Sequence, residues 1–289
     1  MAQVKVDKYL REQIEYRETS FPFGIWLDDF ENFLSHTLDC HWHESMEFGM
    51  VLEGEVEYYV NQTCIPLKKG DIIFLNANTL HMARQTGGRA KMAAFTFHQS
   101  MFSQEIIYQK YFKPFQEMQV QGFRIDRGTP LGERIGRRLE ELYYLEEKEG
   151  YELHVLSLLG ELWLDTLAYL KEQEHKVITG SRINRVQEET VKRMLSYIHE
   201  SYGENITIEA LAEYGHVSRS ECFRCFKRFT GKTPMEYVNE YRLIQGAAML
   251  RRTNLTIAQI SNASGFSTSS YFGKVFREKY GMTPLKYRG

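Results

Sequence analysis

Between Ile206 and Tyr287 the chain is written twice. The first copy opens Ile206-Thr207-Ile208 and closes Gly231-Lys232-Thr233-Pro234-Met235-Glu236-Tyr237. The second opens Leu255-Thr256-Ile257 and closes Gly281-Met282-Thr283-Pro284-Leu285-Lys286-Tyr287. The offset is 49 residues at the start and 50 at the end, so the second copy carries one extra residue near its turn. A repeat this regular restricts the region to one structural unit used twice.

Each copy predicts helix, tight turn, helix. Thr207 and Thr256 stand at N-cap positions, where a hydroxyl accepts from an orphan backbone N–H. The apolar residues before them (Ile206, Leu255) match ones at the fourth helical position (Leu211, Ile260) as hydrophobic staples, and Gln259 adds a capping box. Turns are expected around Gly215-His216 and Ser264-Gly265. Ser218 and Ser267 are expected to cap the second helices, with Ser218-Arg219-Ser220-Glu221 as a capping box. In those helices Cys222, Cys225, Phe226 and Phe229, then Phe272, Val275 and Phe276, form an apolar face. The opposite faces carry Arg219, Arg224, Lys227 and Arg228, then Lys274, Arg277 and Lys279. Two short helices around a tight turn, the second one basic, are a helix-turn-helix. An ordinary bundle has no reason to repeat caps, turn and Gly-x-Thr-Pro stop together.

Over about residues 191–288 the chain resembles the AraC/XylS family of bacterial transcription regulators. The resemblance rests on the two motifs, the Gly-x-Thr-Pro-x-x-Tyr closures, and a joining helix with Tyr237, Arg242 and Leu250. It departs at Gly246, where the family more often has Ala; a glycine there is expected to loosen the helix by up to ~1 kcal/mol.

Length and charge fit two domains. From Arg185 onward there are 16 Lys and Arg against 10 Asp and Glu, a balance of +6; the remainder carries 20 against 28, or −8. The basic end suits a polyanion and the acidic end does not. The N-terminus has no apolar core for a signal peptide and no apolar run approaches membrane-spanning length, so a cytoplasmic location and no membrane contact are expected. Cys40, Cys64, Cys222 and Cys225 fit a reducing compartment. Cys222-x-x-Cys225 looks like half a zinc site or a redox pair, but it lacks a second pair and lies on an apolar helix face, so two buried small residues are expected.

Residues 1 to about 98 read as short strands with frequent turn signals, which suggests a small barrel or sandwich. The strands are expected at Met46 to Leu52, Glu55 to Val60, Ile65 to Leu67, Asp71 to Leu75, His81 to Gln85 and Lys91 to His98. His41-Trp42-His43, Glu47 and Gly54, followed by Gly70, Asn76, Asn78 and His81, have spacings similar to the two cupin motifs, with Asn76 and Asn78 where Pro and Gly are usual. Strand alternation would put His41, His43 and Glu47 on one face, with His81 joining from the second motif. Three readings stay open. The four side chains line a pocket for a small polar effector, as sensory domains fused to AraC-type modules do. Or they hold a divalent transition metal, as cupin enzymes do. Or they are histidines satisfied by backbone groups.

From Tyr108 the pattern turns helical. Leu131, Ile135, Leu139 and Leu142 mark one helix, with Gly150 as its end. Leu153, Leu156, Gly160, Trp163, Leu167 and Leu170 in the next are spaced 3-4-3-4-3, a heptad seam. That seam equally suits a pairing inside one subunit; the family resemblance favours a dimer contact. Residues 173–184 lose the pattern and read as a linker. A new helix is expected over Val186 to Ser201.

The predicted fold is α+β: a cupin-like β-barrel over 1–125, a helical dimerisation segment over 126–175, a linker over 176–188, and an all-α double helix-turn-helix domain over 189–289. The two motifs are expected at about 207–229 and 256–279. The expected function is a sequence-specific transcription regulator controlled by a small polar effector, a sugar being what the family suggests, with no catalysis and no cofactor. By the resemblance, Ser220, Phe223 and Arg224, then Ser269, Ser270 and Lys274, face the bases of double-stranded DNA. Arg219, Lys227, Arg228, Arg277 and Lys279 face phosphates. A homodimer is expected, with RNA polymerase open as a partner. The rivals are a metal-dependent cupin enzyme, or a metal sensor, fused to a DNA-binding module, and a helical repeat that binds protein; the +6 balance speaks against the last.

Overall fold

The computed structural model describes residues 4–7, 10–33, 36–61, 63–173, 178–179 and 182–288. The chain divides into two compact units, one of residues 1–5 and 11–185 and one of residues 6–10 and 186–289. Parts of the expected linker (176, 177, 180 and 181) lie outside the described residues.

The first unit is built on two antiparallel sheets. One runs in the order β1 (Phe23–Asp29), β8 (Lys91–Phe97), β3 (Met46–Glu53), β6 (Ile72–Leu75), β9 (Val120–Ile125), β10 (Ile178–Thr179). The other runs β2 (Thr37–His41), β7 (His81–Gln85), β4 (Glu55–Val60), β5 (Thr63–Lys68). The six expected strands are present within one or two residues at each end; β1, β2, β9 and β10 were not expected. Val51, Ile73, Leu75 and Met92 of the first sheet meet Val56, Tyr58, Val60 and Leu67 of the second in one buried cluster, the inside of the barrel. Gly54 makes the tight turn between β3 and β4 at φ +74°, where a Cβ would stand 2.2 Å from the Arg89 carbonyl.

β3 is buried on both faces, which is why its sequence shows no hydrophobic alternation. Met46, Phe48 and Met50 point away from the barrel, into a second cluster that holds Phe74, Phe95, Phe97, Phe112, Phe115 and Trp163. The covering layer is helical. Two short helices, α1 (Glu105–Ile107) and α2 (Lys113–Glu117), flank a π-helical turn; α3 (Pro130–Tyr144) and α4 (Tyr151–Glu172) follow. Thr129 caps α3 by accepting from the Gly132 N–H. α3 ends at Tyr144, short of Gly150, which sits at φ +86° before α4. Asp165 of α4 accepts from Arg134 at 2.6 Å and lies 3.4 Å from Arg138, pinning the two helices together.

This corrects the heptad seam. Trp163 is 3% and Leu170 1% exposed, inside the sheet-helix core, whereas Leu153 is 73% exposed. The buried face runs Val155, Leu159, Leu162, Trp163, Thr166, Tyr169 and Leu170. The Trp163 indole stacks on Phe112 at 4.8 Å and 5° and donates to the Tyr111 carbonyl at 3.2 Å. α4 is also long and apolar enough, by length and composition, to cross a membrane, against the sequence expectation. Its apolar length is explained by its buried face on the sheet.

The second unit is helical. α5 (Arg182–Ser201) begins inside the expected linker and earlier than Val186. After it come α6 (Ile208–Gly215), α7 (Arg219–Thr230), α8 (Pro234–Arg252), α9 (Ile257–Ala263), α10 (Ser269–Tyr280) and α11 (Pro284–Arg288). α8 is the strut between the two copies of the repeat. Its Arg242, 8% exposed, donates to the Tyr202 and Glu204 carbonyls at 2.8 and 2.6 Å. Gly246 has a packing reason that offsets its helix penalty: a Cβ there would stand 2.9 Å from the Phe272 ring. Cys222 and Cys225 are buried free thiols, pushed up by burial to about 11 and about 12.

Trp163→Ala should destabilise the first unit by about 3–5 kcal/mol through cavity formation, read by urea unfolding with near-UV circular dichroism.

Candidate nucleic-acid interface and effector pocket

The two helix pairs of the second unit are α6–α7 and α9–α10. Thr207 accepts from the Ala210 N–H and Thr256 from the Gln259 N–H, with the Gln259 side chain returning to complete a capping box. Ser218 caps α7 through the Glu221 N–H, but only half of a capping box forms, because the Glu221 carboxylate pairs with Arg224 instead. α10 is capped by Thr268, one residue after the expected Ser267. His216 in the first turn and Gly265 in the second take positive φ, and Gly231 and Gly281 close α7 and α10 at φ +70° and +68°. Both copies therefore have the same start and stop, and their turns differ by the one extra residue of the second.

Cys222, Cys225, Phe226 and Phe229 of α7, and Phe272 and Phe276 of α10, are buried. Val275 is half-buried. Arg219, Ser220, Phe223, Arg224, Lys227 and Arg228 are exposed on α7, and Ser269, Ser270, Lys274 and Arg277 on α10. Phe223 is 41% exposed, a large apolar surface among cations. Arg219 pairs with Glu209 at 2.9 Å and Lys274 reaches Glu278 at 4.0 Å. Such exposed pairs are weak and exchange readily for another anion. Tyr271, 44% exposed beside Ser270, was not expected on this face; its exposure only follows once α10 begins at Ser269. Lys279, expected to face a phosphate, is paired with Glu240 of α8.

In the first unit His41, His43, His81 and Glu47 do come together, though not on one strand face. His41 ends β2, His81 begins β7, Glu47 lies on β3 in the other sheet, and His43 sits in the turn between β2 and β3. Ring centroids are 4.1 Å apart for His41 and His81 and 5.1 Å for His43 and His81. All four side chains are buried. The Nδ1 atoms of His41, His43 and His81 lie 2.7, 2.9 and 2.8 Å from the carbonyls of Asp39, Ser45 and Thr79. A carbonyl only accepts, so each Nδ1 carries the proton and each Nε2 turns inward. Ligand atoms of the three rings lie within 4.8 Å of one another. Asn78, where a glycine is usual, takes φ +64° and donates its N–H to the His43 carbonyl at 2.7 Å, so the turn keeps its shape despite the unusual residue.

The charges differ sharply. His41 is pushed down to about 4 by burial and then by the charge on His43, so it is neutral. Burial would also depress His43, but its 3.1 Å hydrogen bond to Glu47 and that carboxylate's charge reverse the effect, and its pKa is raised. Tyr58 donates to the other Glu47 oxygen at 3.3 Å.

Only two of the four expected residues, His41 and Glu47, line the adjacent cavity of about 200 Å³. Its other walls were missed by sequence reasoning: Glu12 from the N-terminal segment, Trp26 and Asp28 from β1, and Thr96 from β8. The Trp26 indole is fixed by donating to Thr96 Oγ1 at 2.9 Å. Glu12 and Asp28 are each raised to about 7, first by burial; Asp28 is raised further by the Glu47 and Glu12 charges, while for Glu12 the His43 charge pulls down more than the Glu47 charge pushes up, and burial outweighs both. The cavity is acidic and disfavours an anion.

A sequence profile for a helix-turn-helix domain matches residues 211–289, and one for a cupin domain matches residues 35–97. The HTH-type transcriptional regulator YdeC of Bacillus subtilis is 28% identical, over 98% of this chain and 97% of its own length. The melibiose operon regulatory protein of Escherichia coli is 26% identical, over 86% of this chain and 82% of its own. A solved transcriptional regulator from Chromobacterium violaceum, described as having an AraC-type DNA-binding domain, is 30% identical over 35% of this chain and 90% of its own, with a TM-score of 0.34.

Asp28 ionises near 7 in the fold and near 3.8 as a free group. Between those values the folded unit holds a proton that the unfolded chain has lost. The stability from that proton is complete below pH 4 and is lost as pH rises through 7. Asp28→Asn should therefore gain stability over the parent between pH 5 and pH 8, by roughly 2–4 kcal/mol, in thermal or urea unfolding at a series of pH values.

Proposed function

The chain is an AraC-type transcription regulator with a cupin half, and we propose that the acidic cavity beside Trp26 is where a small polar effector controls its binding to DNA. Regulators of this type bind double-stranded DNA, and its relatives are transcription regulators rather than enzymes. The DNA-binding reading is carried by one observation above all: two capped helix pairs with ten polar, basic or aromatic candidates all exposed on the second helices. Ser220, Phe223 and Arg224, then Ser269, Ser270 and Lys274, face the bases in this reading. Arg219, Lys227, Arg228 and Arg277 hold phosphates. The test uses a duplex selected from a random pool by the intact chain. Arg224→Ala should weaken binding to it by about 1–3 kcal/mol, while Lys227→Ala should lower affinity for all duplexes and reduce the salt slope by about 0.9. Two variants that titrate like the parent would remove α7 from the interface.

The effector we assign to the cavity is sugar-like. Glu12, Asp28 and Glu47 supply acceptors for hydroxyl groups, the Trp26 ring offers an apolar face, and the regulator of the melibiose operon is among the relatives. His41 lines it, and His43 and His81 pack beside His41 outside its wall. A second reading has its own support: three imidazoles with Nδ1 fixed on carbonyls and Nε2 inward are the arrangement of metal ligands. His41, His43 and His81 fit a divalent transition metal, with His43 first giving up its bond to Glu47, which stands beside them. Such an ion would supply a positive centre among the carboxylates.

The exposed apolar residues of the helical layer, Tyr144, Leu153 and Leu164, support a homodimer through α4; Leu164→Glu then runs as a monomer in light scattering. A DNA target supports a cytoplasmic location. In a reporter strain, Trp26→Ala with Glu47→Gln should abolish the effector response and leave effector-free DNA affinity within about threefold. Near-stoichiometric metal in the purified chain, with the response following that metal, would replace the sugar reading.

A further inference from the structure

Glu240 is the one carboxylate on α8 that holds two lysines. Its Oε1 accepts from Lys279 in the last turn of α10, and its Oε2 from Lys232, just past the end of α7. The carboxylate is only 16% exposed, and the lysines 24% and 30%. Burial would push its pKa up, but the two ammonium groups outweigh that and lower it. At neutral pH it is therefore an anion between two cations, in partial shelter from water, where such pairs outlast surface ones.

The placement matters more than the strength. α10 meets α8 at two points: the Phe272 ring lies against Gly246, and Lys279 reaches Glu240. Six residues of α8 separate the first point from the second, about 9 Å at 1.5 Å per residue. Seven residues of α10 separate them, about 10.5 Å. Two contacts at matching intervals fix the direction of a helix axis as well as its position. The other oxygen of the same carboxylate holds the closure of α7. Both reading helices are thus referred to one side chain.

We propose that Glu240 is a positioning residue for DNA: with Lys232 and Lys279 it sets the separation and angle of α7 and α10, and so the spacing between the two half-sites the chain accepts. Lys279, expected on sequence grounds to hold a phosphate, is a brace instead. The proposal rests on the DNA-binding reading above.

The test measures binding of the intact chain to its selected duplex, and to the same duplex with one base pair added or removed between the half-sites. The parent should lose about tenfold or more on either change. Glu240→Gln should bind the original duplex several-fold more weakly and distinguish the three spacings by no more than about threefold. Lys279→Met, at an exposed position that leaves the core untouched, should show the same relaxed spacing with the parent's salt slope. A fall of about 0.9 in the slope with spacing preference intact would make Lys279 a phosphate contact and overturn the brace. So would variants that bind every spacing like the parent, or that weaken equally at all three. A parent that binds no duplex sinks the DNA-binding reading itself and this proposal with it.

Discussion

Strand β3 has no solvent face, and the first unit is arranged around that constraint. Met46, Phe48 and Met50 lie in a cluster with Trp163, Phe112 and Phe115 on one side, while Glu47, on the other, reaches into the barrel. Side chains alternate along a strand with period two, so the apolar set and the carboxylate are locked together. A one-residue slip would drive Glu47 into the aromatic cluster and Phe48 into the cavity. The helical layer thus has a role beyond covering the sheet. By fixing the register of β3 it fixes where the Glu47 carboxylate stands against His43 and Tyr58.

That placement explains the electrostatics of the cavity. One imidazolium, His43, offsets one carboxylate, Glu47, at 3.1 Å. Burial, with repulsion from the Glu47 charge, holds both Glu12 and Asp28 near half-protonation at neutral pH, and the His43 charge lowers Glu12 without offsetting its burial. A carboxyl group in that state can donate or accept a hydrogen bond, which suits hydroxyls better than a fixed charge would. Buried polar groups left unmatched cost about 1–3 kcal/mol each. A ligand that satisfies several of them therefore gains more from this site than from an apolar pocket of the same volume.

Much of the second unit was legible because its signals are local. Thr207, Thr256 and the paired glycines Gly231 and Gly281 act within one turn of their own positions, so their spacing alone reveals helix ends. The convergence of His41, His43, Glu47 and His81 was legible from the cupin-like spacing, although the argument from a single strand face was wrong. The rest of the cavity was hidden because it depends on long-range register. Trp26 meets Thr96 across 70 residues, and neither β1 nor its pairing with β8 shows in the local pattern. The seam on α4 failed for a different reason. A helix lying on a sheet and a helix lying on a partner both space apolar residues by three and four. Only the tertiary partners of Trp163, the rings of Phe112 and Phe115, separate the cases.

α6 and α9 have only 8 and 7 residues, well below the length at which an isolated helix is stable in water. They persist because their caps satisfy the first N–H groups and their apolar faces are buried against longer helices. α8, with 19 residues and lying between the two copies, is long enough to impose geometry on both. It begins with a complete capping box, Thr233 and Glu236, which fixes its first turn just before the turn where Glu240 meets Lys232. Arg242 ties its middle to the end of α5, and Gly246 admits the Phe272 ring. Each of these contacts uses a different chemistry, and each removes a different freedom of the repeat. A double helix-turn-helix made of two independent motifs would tolerate any spacing its linker allowed. One in which the linker is itself a braced helix reads its two grooves as a single rigid template.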